Sequence, residues 1–131
     1  MRLLLDTHIW IWSMSQPKRL APDVSRALVE SGNELWLSPI SVWELMLLHA
    51  RGRVAVIGTL EDWIERARTI QPFRDAPLNL EVALETGRLS PPRRDPADAF
   101  LAATARVFDL TLVTADETLI AARDVPTLAN R

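Results

Sequence analysis

Leu3-Leu4-Leu5-Asp6-Thr7-His8 joins a short unbroken apolar run to a carboxylate. Side chains alternate between the two faces of a strand, so consecutive leucines predict a strand buried on both sides, as in a parallel sheet covered by helices. Two later stretches repeat the pattern. Leu35-Trp36-Leu37 reads as a second buried strand, which turns through Ser38-Pro39-Ile40-Ser41 into a helix. Asp109-Leu110-Thr111-Leu112-Val113-Thr114 is a β-prone run that ends in Ala115-Asp116.

Helical periodicity fills the intervals. Ile9 to Met14 predicts a short helix whose Trp10 and Trp12 belong to core or interface, and Asp23 to Glu30 a second with Val24, Ala27 and Leu28 turned inward. Val42 to Arg51 is a third, stopped by Gly52, and its Ser41-x-x-Glu44 spacing matches a capping box. Val54 to Gly58 reads as a short extended piece or a connection. Thr59 to Thr69 and Leu78 to Thr86 form two more helices, with a brief strand over Ile70 to Phe73 between them. Ser90-Pro91-Pro92-Arg93-Arg94 then delivers the chain to a helix from Pro96 to Val107. Thr118 to Ala122 predicts a last short helix, and Val125 to Leu128 an edge strand, where Pro126 is tolerable. Strands alternating with helices predict an α/β fold, a three-layer α/β/α sandwich with a mainly parallel central sheet, spanning residues 1–131 as one domain.

Composition narrows the chemistry. There is no cysteine, which excludes disulfides, thiolate nucleophiles and Cys-ligated zinc. No apolar run is long enough for a membrane span or a signal-peptide core, so the expected location is the cytoplasm, with no membrane association. Net charge is −2, and of 15 basic residues only Lys18 is a lysine. The four glycines follow no buried strand as a phosphate cradle requires. The two histidines come without a Gly-x-Ser-x-Gly elbow, so neither a P-loop nor a Ser-His-Asp hydrolase is supported. His8 is expected to orient a neighbour or pack beside Asp6 rather than act as a base.

What remains is carboxylate chemistry. Asp95 suits a helix N-cap and Pro96 the first helical position, while Asp98 shares a helix face with Leu101, Ala102 and Ala105. An unpaired charge on an apolar face is costly. A plain alternative is that Asp98, in the first turn, only complements the helix dipole. However, Asp6 and Asp116 terminate strands while Glu44 and Asp98 open helices, and in a parallel α/β sheet all four belong to the edge where ligands bind. Clustered carboxylates repel unless a cation gathers them, and oxygen ligands suit Mg²⁺ or Mn²⁺. Such ions activate water and steady the oxyanions of phosphodiester hydrolysis.

Leu4-Leu5-Asp6-Thr7-His8, Ser41-Val42-Trp43-Glu44-Leu45, Arg94-Asp95-Pro96-Ala97-Asp98, Leu101-Ala102-Ala103-Thr104-Ala105 and Leu112-Val113-Thr114-Ala115-Asp116 resemble, in order, the motifs of PIN-domain ribonucleases, specifically VapC-type toxins of toxin–antitoxin pairs. The resemblance implies a metal-dependent endoribonuclease acting on RNA with Mg²⁺, or Mn²⁺, as cofactor. It also implies a homodimer and a VapB-type antitoxin that covers the site. It assigns the catalytic and metal-binding quartet to Asp6, Glu44, Asp98 and Asp116, with Asp95, Thr114 and Thr7 as auxiliary candidates. Arg93 and Arg94, beside the third acid, are the candidates for RNA phosphate contacts. The competing function is a non-catalytic partner-binding or oligomerisation module of the same fold.

Overall fold

The computed structural model describes residues 1–90 and 92–131; Pro91, placed by the sequence in the connection after Leu89, lies outside the described residues. From the N-terminus run β1 (Arg2–Leu5), α1 (Thr7–Ser15), a 3₁₀ turn (Pro17–Arg19), α2 (Pro22–Val29), β2 (Glu34–Leu37), α3 (Pro39–Ala50) and α4 (Leu60–Ile70). There follow β3 (Arg74–Asp75), α5 (Leu80–Thr86), α6 (Pro96–Phe108), β4 (Thr111–Thr114), α7 (Glu117–Ala121) and β5 (Thr127–Ala129). The strands form one five-stranded sheet in the order β3-β2-β1-β4-β5. Every pairing is parallel, with Leu4 of β1 opposite Trp36 of β2 on one side and Leu112 of β4 on the other.

The leucine run behaves as its alternation predicts. Leu3, Leu4 and Leu5 are each 0% exposed. Leu3 and Leu5 enter a core with Trp10, Val24, Leu28, Trp63 and Ala67 from α1, α2 and α4; Leu4 enters a second core with Leu101, Ala102, Leu119 and Val125. Helices therefore cover both faces of the sheet. Burying each leucine stabilises the fold by roughly 1.5–3 kcal/mol relative to exposure. The helix over Pro22–Val29 buries Val24, Ala27 and Leu28 as its periodicity requires.

Several local expectations shift. The third helix starts three residues early, because Ser38 is its N-cap, accepting from the Ile40 amide at 3.1 Å, and Pro39 takes the first helical position. Ser41 is therefore inside the helix, and the expected capping box with Glu44 does not form. The brief strand expected over 70–73 lies instead at Arg74–Asp75, where it pairs with Trp36 and Leu37. Of the two readings for Val54 to Gly58, the connection holds, since the segment makes no strand pairing. Helix α6 ends on Asp109 at φ 55°, a left-handed position that an aspartate tolerates, and the chain turns directly into β4.

The strand order places the site. β1 is central; the chain leaves it toward β2 on one side and later returns to β4 on the other. A crevice opens at the carboxyl ends of β1 and β4, where the winding direction reverses. Asp6 is the first residue after β1 and Asp116 the second after β4.

Candidate active site

Asp6 caps α1, its Oδ1 accepting from the Thr7 amide at 2.7 Å, and it is only 8% exposed. Its Oδ2 accepts from the Thr114 hydroxyl at 2.6 Å, and Thr114 Oγ1 in turn accepts from the Asp116 amide at 3.0 Å. One buried hydroxyl at the end of β4 thus sets the first and last acids relative to each other. Asp116 caps α7 through Oδ1, which receives the Thr118 and Leu119 amides at 2.8 and 3.3 Å. Asp95 caps α6 in the same way, receiving Ala97 and Asp98 amides at 2.8 and 3.3 Å on Oδ1. Among the described residues, no hydrogen bond engages Oδ2 of Asp95 or Asp116. Capping consumes one carboxylate oxygen and leaves its twin for a ligand.

Glu44, one turn further into α3 than a capping box would put it, accepts a short hydrogen bond from the Thr7 hydroxyl on Oε1. Thr7 Oγ1 also lies 2.9 Å from Ser41 Oγ, so α1 and α3 are tied together beneath the acids. Both threonines are buried: Thr7 donates to Glu44, and Thr114 donates to Asp6 while accepting from the Asp116 amide.

Asp6, Glu44, Asp95, Asp98 and Asp116 line a single cleft of about 450 Å³, together with His8, Trp12, Arg19 and Ala115. Electrostatics agree with that convergence. Burial raises the Asp98 carboxyl to about 7, reinforced by repulsion from Asp95, Asp116, Asp6 and Glu44. Burial also pushes Asp6 up, opposed by the hydrogen bonds from Thr114 and Thr7. Burial raises Glu44 as well, with Thr7 opposing and Asp6 and Asp95 adding to the rise. Among the described residues, no group of three Asp, Glu or His side chains is arranged to hold a metal ion as it stands. The donor set nevertheless fits a hard divalent cation: oxygens only, mutually repelling, with the Oδ2 atoms of two capping aspartates free.

The charged surroundings of the acids differ from one residue to the next. Arg93 is largely buried, with its side chain 5% exposed and its Nη2 donating to Asp124 Oδ1 at 2.6 Å. Arg94 is exposed and lines a neighbouring hollow that shares Asp95 and Asp98 with the acidic cleft. His8 lines the cleft beside Asp6 and opposes the rise of the Asp6 and Glu44 carboxyls, while its ring is exposed and 5.8 Å from that of Trp12. The sequence reading missed Trp12 and Arg19 as cleft residues. Their only local signal was Trp12 lying six positions past the carboxylate that follows β1, which does not specify a neighbour across a turn.

Comparisons with known proteins agree with this geometry. A family profile described as PIN domain matches residues 3–125. Ribonuclease VapC22 of Mycobacterium tuberculosis is 30% identical over 118 residues, 89% of this chain and 88% of that protein. Among solved structures, FitAcB from Neisseria gonorrhoeae superposes with a TM-score of 0.67 at 26% identity, covering 98% of this chain and 97% of the other. VapBC2 from Rickettsia felis, bound to a DNA fragment from its promoter, gives a TM-score of 0.71 over 98% of each chain; at 14% identity it attests the fold alone. A parallel sheet with acids at its switch point, threonine-held and helix-capping, thus coincides with a profile spanning nearly the whole sequence, and the chain belongs to the PIN-domain family, among its VapC-type members.

Proposed function

We propose that this chain is a metal-dependent endoribonuclease that hydrolyses RNA phosphodiester bonds with Mg²⁺ or Mn²⁺, acting in the cytoplasm as the toxin of a VapBC-type pair under a VapB-type antitoxin. The observation that carries the reading is the convergence on Asp98, whose carboxyl is raised to about 7 by burial and by four other acids of the same cleft. Such a cluster stores repulsion that a divalent cation relieves. The VapC22 relative supports the ribonuclease, and membership among the VapC-type proteins supports an antitoxin as the protein partner.

Asp6, Glu44, Asp98 and Asp116 would hold the cation, which when bound supplies an activated water and charge neutralisation for in-line attack at phosphorus. Thr114 keeps Asp6 and Asp116 in register, and Thr7 aims Glu44. Asp95, capped onto α6 beside Asp98, contributes charge at the rim of the same cleft. We propose a homodimer as well: α3 exposes Trp43 and Met46, and α5 exposes Leu80 and Leu84, apolar surface of the kind that subunits cover.

The test is incubation of purified protein with structured RNAs in Mg²⁺, in Mn²⁺ and in chelator. Cleavage is expected with either metal and lost in chelator. Asp6→Asn, Glu44→Gln, Asp98→Asn and Asp116→Asn should each lower the rate by at least ~100-fold in a folded protein, with Asp95→Asn milder. Asparagine is itself a good N-cap, so the variants at Asp6, Asp95 and Asp116 retain their helix starts. Undiminished cleavage in saturating chelator would remove the metal mechanism, and no cleavage under any of the three conditions would leave the non-catalytic partner-binding module as the better account.

A further inference from the structure

An acidic cleft repels the polyanion it is meant to cut, so cations must stand at its walls to draw the RNA backbone in. Arg93 is committed to Asp124, and Arg94 lies in the adjoining hollow. Among the described residues lining the acidic cleft itself, Arg19 is the one Lys or Arg. Its guanidinium carbon lies over the Trp12 ring, 4.1 Å from the centroid, and the exposed side chain keeps N–H donors for a phosphate. Among the described residues its side-chain hydrogen bond, from Nη1 to Gln16 Oε1 at 3.5 Å, is at the limit of a hydrogen bond and easily displaced.

The turn that carries Arg19 is also anchored to the catalytic strand. Asn130 donates through Nδ2 to the Arg19 carbonyl at 3.0 Å, and its Oδ1 accepts from the Ala21 amide at 2.6 Å. The Asn130 backbone amide donates to the Thr114 carbonyl at 2.8 Å. Thr114 is the residue whose hydroxyl holds Asp6. One asparagine near the C-terminus therefore clips an arginine-bearing turn to the end of β4, and Pro17 stiffens that turn from its start.

Resting on the ribonuclease reading above, we propose that Arg19, stacked on Trp12 and held in register by Asn130, binds a phosphate of the RNA backbone flanking the bond that is cut. Arg19 is the substrate-contacting group; Trp12 and Asn130 are positioning residues. Arg94 serves the backbone on the side of the neighbouring hollow, so the strand runs between two cations across the acids.

The test compares wild type with Arg19→Ala, Arg19→Lys and Asn130→Ala in two measurements across a series of salt concentrations. The first is KM and kcat for RNA cleavage. The second is direct binding, in chelator, of a short single-stranded 2′-O-methyl RNA of mixed sequence, which cannot be cleaved through its own hydroxyl and needs no metal to bind. Arg19→Ala should raise KM and Kd about tenfold with kcat nearly unchanged, and lower the slope of log affinity against log salt by about 0.7, the share of one phosphate contact on a single strand. Arg19→Lys should restore the slope, and Asn130→Ala should raise KM while keeping the slope. A purely structural Arg19 would lower the melting temperature and leave the slope and Kd at wild-type values, which would overturn the proposal. If wild type binds RNA in an Arg19-dependent way yet never cleaves it, the nuclease reading fails and this one stands. If it cleaves with an unchanged slope in Arg19→Ala, the reverse holds. Wild type that neither binds nor cleaves overturns both.

Discussion

Asp6, Asp95 and Asp116 each serve as a helix N-cap while lining the same acidic cleft, so capping and clustering are two uses of one carboxylate. Asp98 has no cap to make. Its carboxyl is raised to about 7, against an ordinary value near 3.8. A raised folded pKa means that the native state binds the proton more tightly than the unfolded chain does. Stability contributed by the protonated form is present below the unfolded pKa and is lost as pH rises through the folded one. The metal-free protein should therefore lose stability between about pH 4 and pH 7, and Asp98→Asn should flatten that loss. With the shift discounted for solvent reaching a half-buried carboxylate, the variant should gain about 1–2 kcal/mol at neutral pH. Thermal melts of both proteins in chelator across that range check it. If Asp98 were only a dipole-complementing first-turn charge, the substitution would cost about 0.3–1 kcal/mol instead.

At the scale of elements, the start of α3 decides what Glu44 does. Ser38 and Pro39 begin the helix early, Glu44 lands in the second turn, and its partner is Thr7 of α1 rather than its own helix end. A second case is the segment leading into α6. Arg93 and Asp124 form an ion pair of which both partners are largely buried, joining that segment to the loop after α7, with Arg106 of α6 3.9 Å from the other Asp124 oxygen. Breaking such a pair from one side strands a buried charge. Arg93→Ala should lower stability by about 2–3 kcal/mol, partly offset by Arg106, as read by denaturant unfolding. It should leave the salt slope of RNA binding unchanged, the opposite signature to Arg19→Ala.

At the scale of the molecule, the five-stranded parallel sheet gathers carboxylates from the ends of β1 and β4, the second turn of α3 and the start of α6. Their repulsion is a cost borne by the fold until a cation offsets it. Mg²⁺ or Mn²⁺ should raise the melting temperature by mass action, by an amount equivalent to about 2.7 kcal/mol at a hundredfold excess over Kd. Asp98→Asn should lose most of that response. A wild type whose melting point is indifferent to both metals would mean that the acids hold helices and nothing else.

Much of this was legible from residue order alone. Leu3-Leu4-Leu5 announced a doubly buried strand, Asp95-Pro96 a helix start, and the alternation of strands and helices a parallel sheet with acids on one edge, because these rules act within a turn of helix or a few strand residues. Glu44 was ambiguous for the same reason: Ser41 and Ser38 both offer local caps, and only the start of the packed helix chooses between them. Local rules cannot reach the pairings that complete the site. Thr114 meets Asp6 across 108 positions and Asn130 meets Arg19 across 111. Arg93 and Arg94 are neighbours in sequence, yet one is buried against Asp124 and the other exposed, since burial depends on what the rest of the chain packs beside each side chain. The carboxylates and their sheet edge followed from short-range patterning; which cations face them followed only from long-range contacts formed on folding.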